Sequence, residues 1–476
     1  MTDLLVNVSR AQFAATVVFH MIFPSITVGL SVFLAVMYAG YVWTGKGVFL
    51  AIYRFWLRIF AVAFAIGVVS GIVLTFELGL NWAGYADAVG PILGVIISME
   101  VVTAFFLEAG FLGIMLYGEG RVSPRVHLFA TCMVALGTLL SATWIISANS
   151  WMQTPAGYTR VGGQFQAVNW TAAILNPSFI YRFPHMLLAV LISTGFLIAG
   201  TSAYYLLKGI HLDVSRRAFS LALGAISVLL PLQLYMGDTL AFAMFNFQPP
   251  KMQAVEGNWG STNTGYNVFV VPDQAGQRNL VQVAIPCLGS IIGRDLGCHT
   301  AFPGLARTPV ADQPKMVFPF WGFRLMFYLS ILMFAAMASS IVLRLRRRLY
   351  GTRWFHRFAV WMTPAGTLAI IGGWTTAETG RQPWVAYGLL RTVDAVSPLS
   401  PPLVVVTAAS FVSLYAGLFG IFIAYYLRTV RRGPVDFGDA VRIGDRVYEP
   451  AVTGASGGQA TVPPGDPAPG PGKDAA

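Results

Sequence analysis

Long apolar stretches with almost no charge recur along the whole chain, and they constrain its fold more than any other feature. A helix needs about 20 apolar residues to cross a membrane. Nine such stretches are present, at approximately 14–43, 55–80, 92–118, 127–149, 184–208, 218–241, 320–343, 358–377 and 402–427. Only 11% of the 476 residues are charged, against about 25% in a soluble domain. Because backbone polar groups in lipid must bond within their own segment, the sequence predicts an all-α, polytopic membrane bundle of about nine helices.

Lysine and arginine are concentrated in alternate connections between these stretches, which predicts the orientation of the bundle. The connections rich in basic residues contain Lys46, Arg54, Arg58, Arg121, Arg125, Lys208, Arg216, Arg217, Arg344, Arg346, Arg347, Arg348, Arg353, Arg357, Arg428, Arg431 and Arg432. The other short connections hold few: Arg10, Arg160, Arg182, Arg381 and Arg391. Basic connections face the cytoplasm, so we expect the N-terminus outside and the C-terminus inside. This pattern also explains the net charge of +11 without nucleic acid as a partner.

The same pattern divides the chain into four parts. Helices 1–6 occupy 1–241, an extracytoplasmic segment covers 242–319, helices 7–9 occupy 320–430, and a cytoplasmic tail covers 431–476. No signal-peptide pattern precedes the first stretch, so we expect that stretch to be retained. The tail from about 452 is rich in Gly, Pro and Ala, a composition typical of disorder. Cys287 and Cys298 share the outer segment, where we hypothesise a disulfide, with two free thiols as the alternative. Cys132 lies in an apolar stretch and is expected to be inert.

A few ionisable side chains lie within or at the edges of the apolar stretches, where they are costly and therefore functional candidates. They are His20, His185, Glu77, Glu100, Glu108 and Glu378. With a rise of ~1.5 Å per residue, the predicted orientation places His20, His185, Glu378, Glu100 and also Met326 in the outer half of the membrane. Histidine, methionine and carboxylate side chains can ligate haem iron. The pattern indicates a buried cofactor layer, with a satisfied polar network or a transporter's ion site as alternatives.

Four motifs, in order along the chain, resemble subunit I of cytochrome bd-type quinol oxidases. The first is Ser9-Arg10-Ala11-Gln12-Phe13-Ala14, which leads to His20. The second is Trp151-Met152-Gln153, and the third is Phe323-Arg324-Leu325-Met326. The fourth is Gly380-Arg381-Gln382-Pro383-Trp384, preceded by Gly373-Trp374 and Glu378. The resemblance extends from about residue 5 to 430.

The resemblance implies three haems and their ligands. His185 and Met326 match the two axial ligands of the low-spin haem b, and Arg324 would support this haem electrostatically. His20 and Glu378 match the ligands of the other two haems, a high-spin haem b and the oxygen-reducing haem d. We favour His20 on the oxygen-binding haem and Glu378 on high-spin haem b, although the resemblance leaves this pairing open.

Other side chains match positions around these haems. Glu100, Glu108 and Ser141 resemble residues near the oxygen site and its proton supply. Arg381 is carried over as a cofactor-binding residue. Trp374 resembles an aromatic residue between haems, and ordinary packing is its alternative because aromatic side chains dominate cores.

The outer segment carries a further match and two departures from the family. Lys251 and Glu256 match a pair implicated in quinol oxidation, and a carboxylate near the quinol hydroxyl can act as a base; a solvated charge pair is the alternative. The stretch from Lys251 to Arg324 is short, as in the branch that includes cyanide-insensitive oxidases, so a third haem b in place of haem d stays open. Glu77 lies where well-known members have Gln, and its role is not assigned.

The resemblance implies the catalytic, haem-bearing subunit of a terminal oxidase that oxidises membrane quinol and reduces O2 to water. Protons for water would come from the cytoplasm, which generates a proton gradient without pumping. The implied partners are subunit II in a membrane heterodimer, membrane lipid, and a small single-span subunit as a further candidate, in the bacterial cytoplasmic membrane. An ion-coupled transporter would instead predict internal repeats, and a non-catalytic assembly subunit would lack Lys251 and Glu256.

Overall fold

The computed structural model describes residues 2–261, 264–299, 301–434, 441–443 and 446–448. The helices are α1 Thr2–Ile22, α2 Pro24–Thr44, α3 Gly47–Leu80, α4 Ala83–Glu100, α5 Phe106–Tyr117, α6 Pro124–Gln153, α7 Trp170–Ile174, α8 Phe179–Lys208, α9 Leu212–Phe247, α10 Pro249–Glu256, α11 Leu288–Ile292, α12 Val317–Leu345, α13 Arg353–Trp361, α14 Ala365–Thr379, α15 Thr392–Ala395 and α16 Pro401–Arg432. A π-helical turn, Val101–Phe105, joins α4 to α5, and short 3-10 turns cover Leu305–Arg307 and Val310–Asp312.

In the part of the chain that the structure describes, four two-stranded antiparallel hairpins accompany the helices. They pair β1 Tyr158–Val161 with β2 Gln164–Ala167, β3 Tyr266–Asp273 with β4 Arg278–Ile285, β5 Trp384–Ala386 with β6 Leu390–Arg391, and β7 Val441–Ile443 with β8 Arg446–Tyr448. The β7–β8 hairpin belongs to a second unit. The tail predicted to be disordered from about 452 lies outside the described residues.

The prediction of an all-α membrane bundle is confirmed. Within the described ranges, eight helical runs are long and apolar enough to cross a membrane, at 4–44, 47–80, 83–117, 124–153, 179–208, 212–247, 317–345 and 401–432. The first run and α8 are the most buried, whereas α12 and α16 expose most of their apolar side chains. Such outward apolar faces suit lipid or a partner subunit.

The predicted span at 358–377 is interrupted in the structure. Its residues form the end of α13 and most of α14, which has 15 residues. Proline disfavours helical backbone at the residue before it, and α13 gives way to a turn at Met362, shortly before Pro364. Helix α14 still packs closely against α12. A Cβ atom added to Gly372 of α14 would lie 2.7 Å from the carbonyl oxygen of Gly322 of α12, so the two backbones are in close contact. The count of nine helices and the orientation stay predictions.

The connections that we expect outside the membrane contact one another. Ser397 donates its backbone N–H to the carbonyl of Asn81 (2.9 Å), and Tyr387 donates in the same way to Met152 (2.9 Å). The other end is closed by different contacts, such as the ion pair between Arg54 and Glu119 at 2.6 Å. The alternate connections therefore group at two ends of the bundle, as the charge pattern predicts.

The outer segment contains an internal disulfide and is joined to the bundle by an ion pair. Cys287 and Cys298 form the hypothesised disulfide, with their Cα atoms 5.0 Å apart. Arg294, which lies between them in sequence, pairs with Asp238 of α9 at 2.9 Å. Cys132 on α6 is a free thiol.

We expect alkylation of the unreduced, denatured protein to modify Cys132 alone, because Cys287 and Cys298 are bonded to each other. After reduction all three cysteines of the chain should be modified. Peptide mass spectrometry reads out both states. Modification of Cys287 and Cys298 without reductant would show that the bond does not form.

Candidate functional site

A partly buried carboxylate, Glu378, lies at the end of α14 and is fixed by three donors. Asn149 and Gln153 of α6 both donate side-chain N–H groups to its Oε1, at 2.9 Å and 3.2 Å. Arg381, one turn beyond the carboxylate, pairs with Oε2 at 2.5 Å. Because asparagine and glutamine side chains carry both donors and acceptors, Asn149 and Gln153 can connect this carboxylate to further groups.

Two more cations reach this cluster through the same amides. Arg182 of α8 donates to Asn149 Oδ1 at 2.6 Å, and Lys251 of α10 donates from Nζ to Gln153 Oε1 at 2.5 Å. Burial, with Arg182 and Arg381 nearby, holds the pKa of Lys251 well below its usual range, and Glu378 acts in the opposite direction. We call Glu378, Arg381, Arg182 and Lys251, with the two amides, the Glu378 cluster.

The Glu378 cluster contains more positive than negative charge. Arg182 Nε, Arg381 Nε and one terminal nitrogen of Arg381 are buried and have no hydrogen-bond partner in the described part of the chain. Buried charges are normally paired, so these donors suit an anionic group from outside the chain. Arg182 is not among the site residues predicted from the sequence. The feature of the sequence that could have indicated it is an arginine three residues before the candidate ligand His185, in a connection with few basic residues.

His185 and Met326 lie against different neighbouring helices. His185 Nε2 is 3.4 Å from Gln233 Nε2 of α9, and a Cβ atom on Gly237 would lie 3.4 Å from His185 Cε1. A Cβ atom on Gly373 of α14 would lie only 2.9 Å from Met326 Sδ. Helices α8, α9, α12 and α14 pack on one another, so both side chains belong to one four-helix region, and each faces a glycine.

Arg324 is fully buried (0% exposed) two residues before Met326. Its Nε donates to the carbonyl of Asn267 at 2.7 Å, and its guanidinium lies 4.3 Å from the ring centre of Tyr266. Both terminal nitrogens lack partners among the described residues. Burial raises the pKa of Glu256, and the charge of Arg324 opposes this shift.

Lys251 and Glu256, predicted as a quinol pair, are both buried on α10, at 3% and 8% exposure. They contact different groups: Lys251 bonds into the Glu378 cluster, and Glu256 interacts electrostatically with Arg324. Five residues apart on a helix, two side chains point about 140° away from each other. Helix α10 therefore connects the two cationic regions, and neither residue is a solvated surface charge.

Glu100, Glu108 and Ser141 come together between α4, α5 and α6. Ser141 donates its hydroxyl to Glu100 Oε1 at 2.8 Å. Glu108 is buried against Gly137, whose added Cβ atom would lie 2.5 Å from the Glu108 side chain. The π-helical turn Val101–Phe105 separates the two carboxylates, and such turns occur frequently at functional sites.

His20 faces α3. Its Nδ1 is 3.0 Å from Ser70 Oγ, and the Ser70 hydroxyl donates to the carbonyl of Gly67 at 2.9 Å. Ser70 must then accept from Nδ1–H, which leaves Nε2 of a neutral ring unprotonated. Trp374 is half-buried on α14, one turn before Glu378.

Comparisons with known proteins agree on one family. A family model described as "Cytochrome bd terminal oxidase subunit I" matches residues 8–434. "Cytochrome bd-II ubiquinol oxidase subunit 1" of Escherichia coli (strain K12) is 30% identical, over 90% of this chain and 97% of that protein. "Putative cytochrome bd menaquinol oxidase subunit I" of Bacillus subtilis (strain 168) is 28% identical, over 92% of this chain and 98% of that protein. The solved bd oxidase from Geobacillus thermodenitrificans superposes with a TM-score of 0.83 at 26% identity, over 90% of this chain and 99% of that one.

We expect Glu378→Gln to destabilise the protein strongly, by about 3–5 kcal/mol, because removing one partner leaves buried charges uncompensated. Adding Lys251→Met should restore part of the loss, since it removes one of the remaining cations. Apparent melting temperatures of the purified variants measure both effects. Glu119→Gln is the control, because its half-exposed pair with Arg54 should contribute about 1 kcal/mol or less. A double variant no more stable than Glu378→Gln would contradict the charge argument.

Proposed function

This chain belongs to the family of cytochrome bd terminal oxidase subunit I, and from that premise we propose that it is the haem-bearing subunit of an enzyme that oxidises membrane quinol and reduces O2 to water. The observation that carries the proposal is the family match over residues 8–434. The match includes every candidate ligand: His20, His185, Met326 and Glu378.

The residues present fit haem. His20 offers an unprotonated Nε2, because its proton lies on Nδ1 and Nδ1–H donates to Ser70, and metal-bound histidines commonly have such a second partner. His20, His185 and Met326 each lie against a glycine, namely Gly71, Gly237 and Gly373. The unpartnered guanidinium nitrogens of Arg182, Arg381 and Arg324, assessed within the described residues, suit carboxylate groups such as haem propionates.

His185 and Met326 are proposed as ligands of low-spin haem b, and His20 and Glu378 as ligands of the oxygen-binding haem and high-spin haem b. Bound haem would carry electrons and reduce O2. Glu378 is already held by Asn149, Gln153 and Arg381. Its orientation is therefore fixed, which favours a positioned ligand over a mobile side chain.

Glu256 is proposed as the base that receives a quinol proton. It is buried on α10 beside Arg324, and a carboxylate within reach of a hydroxyl is a competent base. Lys251 points to the opposite side of α10 and bonds Gln153 of the Glu378 cluster, so it is proposed to position α10 beside the quinol site rather than to touch the same quinol oxygen. Both residues lie in the segment that we place outside the membrane, so quinol protons would leave there.

Glu100, Ser141 and Glu108 are proposed as the last carriers of protons for water formation. Ser141 already bonds Glu100, and Glu108 is near enough for the charge of Glu100 to act on it. A proton reaching Glu108 from the cytoplasmic side would pass to Glu100 and Ser141. Protons taken from inside and released outside separate charge without a pump.

The assembly and its location follow from the family. Relatives are named subunit 1, so we propose a second subunit, bound to an apolar outer face of this multi-pass membrane chain in the bacterial cytoplasmic membrane. Relatives bear both ubiquinol and menaquinol in their names, and the proposal covers either quinol. It also covers haem d or a third haem b at the oxygen site.

The reduced-minus-oxidised absorption spectrum of the purified complex tests the haem proposal. We expect His185→Ala and Met326→Ala each to remove the low-spin haem b signal and retain the others, because each removes one axial ligand. Met333→Leu, a volume-conserving change on the same helix, is the control and should keep every band. A complex without haem would refute the oxidase function, and an unchanged low-spin band would refute these ligands.

Quinol oxidation should depend on pH through Glu256. Its pKa lies above the usual range because it is buried, and only the ionised form can accept a proton. The rate should therefore fall as pH decreases through this raised pKa. In Glu256→Gln we expect quinol oxidation to slow by about 10²-fold or more, with unchanged haem spectra; Glu256→Asp should keep the pH dependence. An unaltered rate in Glu256→Gln would exclude Glu256 as the base.

A further inference from the structure

A column of buried polar side chains lies between α1, α3 and α16, and apart from Ser70 its members have no role in the function proposed above. On α1 it contains Ser9, Gln12 and Thr16, all at most 1% exposed. They recur at helical spacing on one face, and the next position on that face is His20. On α3 the column contains Ser70 and Glu77, and it continues with Asn81, which follows the helix; all three are also buried.

The two ends of the column are bonded, but its middle is not. At the end near the predicted outer face, Asn81 and Thr407 both donate to Gln12 Oε1 at 3.2 Å. At the opposite end, His20 bonds Ser70. The buried polar atoms of the column without a hydrogen-bond partner among the described residues are Ser9 Oγ, Gln12 Nε2, both carboxylate oxygens of Glu77, and Tyr415 Oη.

These unpartnered atoms favour bound water. Buried polar atoms are bonded in the great majority of cases, and water is retained inside proteins where several such groups converge. The column begins near the N-terminal end of α1, at the predicted outer face, and ends at His20. It therefore offers protons a route between the outer face and the His20 site.

Thr16 of α1 is the polar side chain that faces the Glu77 carboxyl group. Its hydroxyl donates to the carbonyl of Gln12 at 3.2 Å. A hydroxyl can accept from an acid O–H or turn to donate to a carboxylate, so Thr16 can serve Glu77 in both charge states. Glu77 is itself only 1% exposed, and an isolated buried charge is costly.

In the described residues, no cation lies against Glu77. From α16 the titratable group that faces it is Tyr415, and α1 contributes His20, one turn beyond Thr16. Of the titratable groups of α4, Tyr85 interacts with Arg381 and Glu378, and Asp87 accepts from Gln164. Arg10 of α1 shows no charge interaction with Glu77.

Glu77 lies near His20 without contacting it in this arrangement. Ser70, which bonds His20, is two helical turns from Glu77 on α3, about 10 Å along the axis. In a low-dielectric interior, charges at such a distance still influence each other. A change of charge at His20 would therefore change the proton affinity of Glu77.

We propose that Glu77 takes up one proton when the His20 site gains one electron, and releases it when that electron leaves. The inference rests on the proposed function, in which quinol supplies the electron. The proton comes from water through the column, and the bond that forms is O–H on a Glu77 carboxylate oxygen. Oxidation of the site breaks that bond and returns the proton to the column.

Redox-induced infrared difference spectra of the purified complex, recorded in H2O and D2O, test this role. The wild type should show a carboxylic-acid C=O band that appears on reduction and shifts in D2O. Glu77→Gln, which keeps the shape of the side chain and cannot ionise, should lose this band. The midpoint potential of the haem at His20 should also depend less on pH in Glu77→Gln, while its absorption spectrum stays unchanged.

Glu77→Asp is the matched variant, because it retains an acid and should show the band at a shifted position. Asp87→Asn, an acid outside the column, should leave the band and the pH dependence unchanged. If Glu77→Gln retains both, the inference is wrong. If Glu77→Gln does not assemble, a band that is unshifted in Glu77→Asp overturns it. Loss of all haem from the wild type would refute the proposed function instead.

Discussion

The carboxylate of Glu378 connects more of this molecule than any other side chain discussed above. Through Asn149 and Gln153 it joins α14 to α6, and through those two amides it reaches Arg182 on α8 and Lys251 on α10. A buried charge is stable only when its partners are fixed. The positions of these helix ends, and of α10, therefore depend on one ionised group and the donors around it.

Close helix contacts provide the second constraint. Glycines on α12 and α14 let the two backbones approach, as Gly322 and Gly372 show, which is how helices associate in lipid. Glycines also lie against His20, His185 and Met326. The same small residues thus bring the helices together and leave space beside the candidate iron ligands. Packing and the proposed cofactor sites depend on the same positions.

Several features of the site were accessible from residue type and order. Glu100, Glu108 and Ser141 were selected as a group, and the structure brings them together. Arg182 was missed, because an arginine near a helix end is usually explained by its loop. Lys251 and Glu256 were selected as a pair, yet they face separate regions of the protein. Spacing along α10 shows that they diverge, but only their partners on α6 and α12 show where each one points.

The sequence by itself determined the class of the molecule: an all-α membrane bundle, the basic connections at one end, and a small set of costly side chains within the spans. Those conclusions depend only on local composition and on the free-energy cost of placing a charged side chain in lipid. The tertiary structure decided the break between α13 and α14, the clustering of three cations around Glu378, and the unpartnered position of Glu77. Each of these depends on which helices are neighbours, and residues far apart in the chain decide that together.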